Sequence, residues 1–380
     1  MTSEERHEAR YRRRHQAREA KKAERLAPYD DFDKVFQYDR MYAAYKKCRR
    51  GVAWKSSVQK YIARAPLEVY RTYKQLHNGK YKSPGFYEFD LVERGKKRHI
   101  RSTTIGERVV QRCLCDNALV PALNRFLIHD NGATMPRKGY DFAMRRYEQH
   151  LREHYRKHGT DGWVLTFDFS SFFDNVSHEV LSNIIRKQFR DERIISLTEH
   201  LISMFGPVGL GLGSQISQVL ALASANKLDH VVKEQLCIRG YGRYMDDGYI
   251  IHHDKKKLES CLTALRATCR ELGIKLNEKK THITKITRTT WLKARFILTE
   301  SGKLIKKMCR RNITKWRQKL KKMRRLLDKG VISFDDVMHS WEASCGYARR
   351  FNSWHTRQSM EILYRNLFRR ELMIFVYQSA

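Results

Sequence analysis

Three carboxylates lie in segments where carboxylates are unfavourable. Asp246 and Asp247 are adjacent between two apolar, β-prone runs in RYMDDGYII, and Asp168 lies within another such run, VLTFDFSSFF. Carboxylates there are costly to desolvate and repel each other unless cations join them. Brought together by neighbouring strands, the three could hold two hard cations, the arrangement used for phosphoryl and nucleotidyl transfer. An ordinary exposed Asp-Asp turn explains the adjacent pair equally well when it is taken alone.

The net charge indicates the class of partner. The chain has 380 residues, with 76 Lys and Arg against 41 Asp and Glu, and a formal charge of +35. Such a surplus is usually compensated by nucleic acid or by an anionic membrane surface. The ends MTSE and YQSA carry no lipidation signal, and no apolar run approaches the roughly 20 residues that cross a bilayer. We therefore expect a soluble, cytoplasmic protein that binds nucleic acid and no membrane.

Other functional classes find little support in the composition and motifs. An aromatic content of 11% excludes disorder throughout. The eight cysteines form no C-x-x-C pair or zinc spacing and are expected to be structural. The glycine-rich stretch GPVGLGLGSQ lacks the G-x-x-x-x-G-K-[ST] pattern of a phosphate-binding loop. His252 and His253 are expected to be solvent-facing residues at a strand end rather than metal ligands.

The elements that must position the carboxylates mix strands and helices. Residues 85–104 predict two strands around a turn at Glu93–Lys96. WVLTFDFSSFF predicts a strand, 216–236 a helix, and CIRGYGRY with GYIIHH a hairpin whose tip is MDD. A short strand pair is expected near Lys275–Lys285. This order, flanked by helical regions, predicts an α+β fold.

Basic segments flank these elements on both sides. The Arg-rich residues 1–27 have two equally supported interpretations, a solvated tail or charged helix and an arm that orders on RNA. After Lys306, Lys and Arg alternate with apolar residues at helical spacing. This pattern predicts a helix that packs through an apolar stripe and follows a nucleic-acid backbone with its basic face.

Motifs in a characteristic order resemble the palm of reverse transcriptases. They are the Asp168 segment, LGSQISQ, YMDD, LGIKLNEKKT and the strand near WLKARF. KRHIRSTTIGERVVQ resembles the fingers of the bacterial enzymes, and the basic part with SWEASCGYARRFNSW resembles their thumb. The resemblance implies an α+β right-hand polymerase with a basic N-terminal extension at 1–34, fingers and palm at 35–300, and a helical thumb at 301–380. It also implies RNA-directed DNA synthesis, in which dNTPs are added to a primer end.

The same resemblance assigns a two-metal centre. Asp168 and Asp246 would ligate two Mg²⁺ ions, and Asp247 would complete the cluster more peripherally. The backbone carbonyl of Phe169 would also face the metal. Lys280 would protonate the leaving pyrophosphate, as a catalytic group beside the three carboxylates, and the neighbouring Lys279 is a near competitor for this role.

Further residues are implied to contact the incoming nucleotide. Arg98 and Arg101 would reach the triphosphate, where negative charge accumulates on the leaving group, although either could be a plain surface cation. Phe173 occupies the position of an aromatic steric gate that excludes the ribose 2′-OH. Because Phe172 and Phe173 alternate, only one can face the substrate, and the other is a core aromatic. Tyr244 would contact the sugar at the primer end.

The loop that would face the nascent base pair departs from most relatives. They have Gln and Pro where this chain has Leu212 and Gln218, a departure that resembles the enzymes of diversity-generating retroelements. Several antiphage-defence reverse transcriptases also vary here, and Gly248 after YMDD is less typical of the diversity-generating group. The biological role is therefore open between these two, and Leu212 could also merely pack against the palm.

The implied partners are a template RNA, expected to be a specific non-coding RNA, the cDNA product and dNTPs, with an accessory protein or a second copy of the chain as further candidates. Two other functions are weighed against this one. A catalytically silent RNA-binding scaffold predicts damaged carboxylates, but all three are present. An RNA-directed RNA polymerase is disfavoured by Phe173 at the gate position.

Overall fold

A computed structural model describes residues 2–93 and 96–373, without the side chains of Glu93, Lys96 and Arg98. In these ranges the helices are α1 (Ser3–Leu26), α2 (Phe32–Val35), α3 (Tyr38–Cys48), α4 (Ser56–Ile62), α5 (Ala65–His77), α6 (Ile105–Leu114), α7 (Val120–Leu123), α8 (Tyr140–His158), α9 (His178–Gln188), α10 (Glu192–Ser203), α11 (Gln215–Ser224), α12 (Asn226–His230), α13 (Lys255–Glu271), α14 (Arg310–Asp328), α15 (Phe334–Ala348) and α16 (Trp354–Leu367). The strands are β1 (Phe86–Glu93), β2 (Lys96–Thr103), β3 (Trp163–Asp168), β4 (Tyr241–Tyr244), β5 (Asp247–His252), β6 (His282–Lys285), β7 (Arg288–Trp291), β8 (Ala294–Leu298) and β9 (Leu304–Met308).

The strands form three sheets. β1 and β2 form an antiparallel pair with Phe86 opposite Thr103, which confirms the predicted strand pair. The middle of the predicted turn at Glu93–Lys96 lies outside the described residues. A four-stranded sheet has the order β4-β5-β3-β6, and a three-stranded sheet has the order β7-β8-β9. This combination of many helices with three small sheets confirms the predicted α+β class.

The chain divides into two compact units. The first comprises the chain up to Ala143 with Phe167–Gly248 and Ser260–Lys280, and the second comprises Met144–Thr166, Tyr249–Glu259 and the chain from Thr281 onward. The predicted domains, with boundaries at residues 34 and 300, are continuous ranges of the chain, whereas each of these units combines several separate segments. They stay a prediction.

Two sequence-based expectations are corrected by the local structure. The helix expected over 216–236 ends at Ser224, restarts as the short α12 and continues as one π-helical turn over Val231–Gln235. The strand pair near Lys275–Lys285 is wrong. β6 pairs instead with β3, and Leu276 forms an isolated bridge with Phe169.

In the first unit, an apolar core lies against the turn between β4 and β5. α11 is apolar on nearly every side and is almost wholly buried, as expected for a helix without a polar face. The core residues nearest the turn are Leu127, Ala133, Met135 and Leu222, with Val120, Tyr244 and Met245 packed against them. The turn therefore rests on a packed surface.

In the second unit, four aromatic side chains form a buried cluster. The ring of Tyr147 lies 4.5 Å from that of Tyr249, 5.1 Å from Trp291 and 4.8 Å from Phe296. Its hydroxyl donates to Thr289 Oγ1 at 2.8 Å, so the polar end of this buried side chain is satisfied. The cluster ties α8, β5, β7 and β8 together.

The two basic segments are helical in the structure. α1 begins with a capping box between Thr2 and Glu5 and is exposed along nearly its whole length, up to the buried Leu26. This agrees with the charged-helix interpretation, whereas its ordering on RNA stays a prediction. α14 buries Trp316 and Leu320, four residues apart, and its other sides are basic and largely exposed, as predicted.

Helix hydropathy and the state of the cysteines are two further features of the structure. Of the helices within residues 2–93 and 96–373, none is both long and apolar enough to span a bilayer. All eight cysteines are free thiols, and four of them are fully buried.

Candidate active site

The turn between β4 and β5 presents two of the three predicted carboxylates. Met245 and Asp246 form the turn, and Asp247 is the first residue of β5. Met245 has φ +54°, a left-handed conformation that is uncommon for a side chain other than glycine and persists only where neighbours hold it. The local backbone is therefore specified by its surroundings.

The third carboxylate comes from the neighbouring strand. Asp168 ends β3, which lies next to β5 in the sheet. The N–H of Phe169 donates to the carbonyl of Asp246 at 3.2 Å, which ties the end of β3 to the turn. One oxygen from each of Asp168, Asp246 and Asp247 lies within 4.8 Å of the others. The structure thus brings together the three carboxylates that the sequence singled out.

Burial and mutual repulsion dominate the electrostatics of this cluster. Burial, followed by the charges of Asp246 and Asp168, raises the pKa of Asp247 to about 7. Burial and Asp168 also raise the pKa of Asp246. Hard cations would relieve this repulsion and prefer such oxygen ligands. Of the His, Cys, Asp and Glu residues in the described ranges, only these three form a group that could hold a metal ion, and they fit one well.

A lysine and an asparagine hold Asp168 from the segment before β6. Lys280 Nζ lies 2.6 Å from Asp168 Oδ2, a contact that raises the pKa of the lysine. Asn277 donates its side-chain amide to the same oxygen at 3.2 Å and its backbone N–H to the Asp168 carbonyl at 2.8 Å. Sequence reasoning found Lys280 but missed Asn277, although both lie in LGIKLNEKKT. Lys279 is exposed.

The two candidate gate residues differ in their surroundings. Phe172 is buried and its ring lies 5.0 Å from that of Phe169, so it is the core aromatic of the pair. Phe173 is half-buried and begins a single 3₁₀ turn. Its carbonyl accepts from the N–H of Leu210 at 2.7 Å, so the glycine-rich loop packs against this turn. Gly209 is required there, because a Cβ would come 2.8 Å from the Asp174 carbonyl oxygen.

The other residues predicted around the nucleotide are spread over the loop, α11 and β4. Leu212 and Tyr244 are half-buried, whereas Gln218 is exposed on α11. Ser214, at the start of α11, is buried and donates its hydroxyl to Gln111 Oε1 at 2.6 Å. The end of the loop is thereby fixed to α6.

The two arginines predicted for the triphosphate lie on β2. Arg98 is opposite Leu91 in the hairpin, and its side chain lies outside the described residues. Arg101 donates through Nη1 to the carbonyl of Phe205 at 2.5 Å, and its Nε lies 3.1 Å from Glu88 Oε1. The structure places Arg101 on these two groups, and its contact with a triphosphate stays a prediction.

Gly248 follows the carboxylates directly and is buried in β5. A Cβ at this position would overlap the ring of Phe167, which lies in the adjacent strand β3. The close approach of β5 and β3 next to the site therefore depends on residue 248 being glycine.

The model of one protein family matches most of the region described above. Its description is reverse transcriptase (RNA-dependent DNA polymerase), and it matches residues 82–296, more than half of the chain. This chain belongs to the reverse transcriptase family. Membership, together with the observed architecture, confirms the predicted right-hand polymerase class, and it implies dependence on a divalent metal. The matched residues of this reverse transcriptase include all three carboxylates, Asn277 and Lys280.

Individual relatives are more distant. Protein YkfC of Escherichia coli (strain K12) is 25% identical over 184 residues, which are 46% of this chain and 47% of that protein. The apo telomerase of Candida tropicalis, truncated from the C-terminal domain, gives a TM-score of 0.44 at 12% identity, over 58% of this chain and 54% of that one. The telomerase of Candida albicans in complex with a fragment of telomeric RNA gives 0.46 at 10% identity, over 60% and 46%. This reverse transcriptase thus spans about half the length of the relatives it matches.

Proposed function

We propose that this chain is an RNA-directed DNA polymerase that adds dNTPs to a primer end. The observation that carries the proposal is the cluster of Asp168, Asp246 and Asp247, whose oxygens lie within 4.8 Å in the region matched by the family model. Two of these carboxylates have raised pKa values because they are buried beside like charges, and a bound cation would stabilise their charged forms.

The proposed partner is a pair of Mg²⁺ ions. Asp168 and Asp246 would hold both ions, Asp247 would complete the cluster, and the carbonyl of Phe169 would contribute a further oxygen. When bound, such ions activate the attacking hydroxyl and neutralise charge on the leaving group of an in-line displacement. The all-oxygen character of the donor set supports Mg²⁺ over softer metals.

Lys280 is proposed to supply the proton for the leaving pyrophosphate. Its contact with Asp168 raises the pKa of the ammonium group, which keeps the proton on Nζ. The same contact holds the side chain at the edge of the carboxylate cluster. In the proposed step Nζ of Lys280 would donate its proton to an oxygen of the anionic leaving group, which leaves the lysine as a neutral amine.

Nucleotide selection is assigned to residues around the cluster. Phe173 would exclude the ribose 2′-OH, and its position outside the core supports this role over Phe172. The remaining proposed contacts are Arg98 and Arg101 with the triphosphate, Tyr244 with the primer-end sugar, and Leu212 and Gln218 with the nascent pair.

The proposed template is an RNA, expected to be a specific non-coding RNA, and the product is its cDNA. The net charge of +35 supports a nucleic-acid partner. The proposed setting is the bacterial cytoplasm, in a diversity-generating retroelement or an antiphage defence system, with an accessory protein or a second copy of the chain as a further partner. The sequence of the loop at Leu212 supports both settings equally.

Primer extension tests the proposal. The full chain is given an RNA template, an annealed DNA primer, Mg²⁺ and either dNTPs or rNTPs. The parent should extend with dNTPs, and Asp246→Asn should lower the rate by more than about a hundredfold, since losses around a metal site reach this size even beyond its direct ligands. Asp161→Asn, an exposed carboxylate shortly before β3, is the matched control and should keep parental activity. Extension with rNTPs alone, or activity retained in Asp246→Asn, would contradict the proposal.

A further inference from the structure

A fully buried ion pair lies beneath the catalytic turn. Arg243, in β4, and Asp229, in α12, both have no exposed side-chain surface. Arg243 Nε donates to Asp229 Oδ1 at 2.8 Å, and Nη2 donates to Oδ2 at 2.6 Å. Two parallel bonds of this kind fix the plane of the guanidinium group, which a lysine ammonium cannot reproduce.

The same guanidinium group also holds backbone. Nη1 donates to the carbonyl of Met245 at 2.8 Å, and Nη2 donates to the carbonyl of Leu222 in α11 at 3.1 Å. Met245 is the residue with φ +54°, and its carbonyl belongs to the peptide that leads into Asp246. Arg243 thus bonds directly to the strained part of the turn.

Asp229 is itself held by other buried groups. The hydroxyl of Tyr241 donates to Oδ1 at 2.5 Å, and the Asn131 side-chain amide lies 3.5 Å from Oδ2. Both carboxylate oxygens therefore have partners inside the first unit. A buried ion pair is often no more stabilising than apolar residues of similar volume. Apolar residues, however, could not donate to the Met245 carbonyl.

From these contacts we infer that Arg243 and Asp229 are positioning residues for metal binding. The guanidinium group fixes the Met245–Asp246 peptide and thereby directs the Asp246 carboxylate toward Asp168. The carboxylates are then preorganised before a cation arrives. This inference rests on the proposed function for what the metal does. What it adds is that metal affinity depends on Arg243 and Asp229, although neither residue is a metal ligand.

Two variants test the inference without leaving an unpaired buried charge. Arg243→Lys keeps the positive charge opposite Asp229 but loses the fork that reaches the Met245 carbonyl. The double variant Asp229→Asn with Arg243→Gln removes both charges together. Lys233→Met is the control for general loosening of the unit, because it breaks a largely buried ion pair with Asp130 but removes no bond to the turn.

The measurement is calorimetric titration of the full chain with Mn²⁺, alongside thermal melting and RNA binding. Both test variants should bind Mn²⁺ about tenfold more weakly than the parent, the loss typical of residues that orient metal ligands. Their RNA affinity should stay parental, and Lys233→Met should bind Mn²⁺ as the parent does. In primer extension, kcat should fall with the KM for RNA unchanged.

The outcomes separate this inference from the proposed function. Weaker Mn²⁺ binding in a chain that shows no primer extension would support the positioning role and contradict the polymerase. A folded Arg243→Lys protein with parental Mn²⁺ affinity would overturn the inference. If melting shows Arg243→Lys to be unfolded, the double variant decides by the same criterion. An equal loss in Lys233→Met would also overturn it, since the effect would then come from general loosening of the unit.

Discussion

The carboxylate cluster and the basic face of α14 use charge in opposite ways. In the cluster, one oxygen from each of three carboxylates lies within 4.8 Å of the others, and burial together with the neighbouring charges raises the pKa of Asp246 and Asp247. On α14 the charges are spread along the helix and exposed to water and salt, which screen them. The basic face consists of Arg310, Arg311, Lys315, Arg317, Lys319, Lys321, Lys322 and Arg325. We therefore expect a single substitution in the cluster to cause a large loss of catalytic rate. On α14, each substitution should lower nucleic-acid affinity by only a small amount.

The largest effect is expected from Lys280→Met, which tests the cluster. Loss of a general acid typically costs a factor of about 10² to 10⁴ in rate. Lys279→Met is the control: both neighbouring lysines are exposed, but Lys280 is the one whose Nζ lies 2.6 Å from Asp168 Oδ2. Single-turnover dNTP incorporation measures both. Equal rates for the two variants would remove Lys280 from the chemistry and leave it as a partner of Asp168 only.

The second prediction tests the basic face of α14. Four of its members at helical spacing are changed together to Gln, namely Arg311, Lys315, Lys319 and Lys322. Each lost phosphate contact should reduce the slope of log affinity against log salt by about 0.7 to 0.9. The rate at saturating RNA should not change. Fluorescence anisotropy over a salt series measures the slope, and an unchanged slope would show that RNA does not follow this face.

Lys306 is left out of that set because it forms a largely buried ion pair with Glu148. It begins the basic C-terminal segment, but its Nζ lies 2.6 Å from Glu148 Oε1, and both side chains are largely buried. Neutralising Lys306 would leave Glu148 without its partner and confuse binding with stability.

Phe173→Ala tests whether a single substitution beside the carboxylate cluster also has a large effect. Removing the ring should make room for the ribose 2′-OH and so admit rNTPs. The preference for dNTPs should fall by at least about tenfold, since discrimination by the shape of a pocket is typically of this size. dNTP incorporation should persist. Phe172→Leu is the comparison, because this buried neighbour should affect stability and leave selectivity alone. Unchanged discrimination in a folded, active Phe173→Ala protein would place the gate elsewhere.

Leu212→Gln should have the smallest effect. A regained hydrogen bond is worth about 0.5–1.5 kcal/mol, so the error frequency should fall about two- to tenfold. Sequencing cDNA made by both enzymes on one template measures it. The same error spectrum with activity kept would show that the half-buried Leu212 only packs, and would weaken the diversity-generating interpretation.

Much of the site is visible in the sequence because carboxylates in apolar strands are conspicuous. Asp168, Asp246 and Asp247 interrupt β-prone runs, and the hairpin around the last two has clear strand signals on each side. Their convergence could therefore be predicted from residue type and order. Their roles as ligands stay a prediction.

What supports the carboxylates could not be predicted in the same way. The sequence predicts one continuous helix over 216–236 that contains Asp229, and nothing in the local periodicity indicates the break after Ser224 or the burial of the Asp229 carboxylate against Arg243. Asn277 looks like an ordinary polar residue before two lysines, yet its contacts with Asp168 depend on the bridge that Leu276 forms with β3. Such partners are distant in sequence, so a local pattern carries no signal of them.

Gly248 has a consequence for how this sequence can diverge. Since a Cβ at 248 would overlap the ring of Phe167, the two positions share one volume across adjacent strands. A homologue with alanine or a larger residue after its Asp-Asp pair should carry a smaller side chain at the position of Phe167. The two positions are thus expected to covary: a side chain added at 248 alone should destabilise the protein by overlap, and a smaller residue at 167 should relieve that overlap.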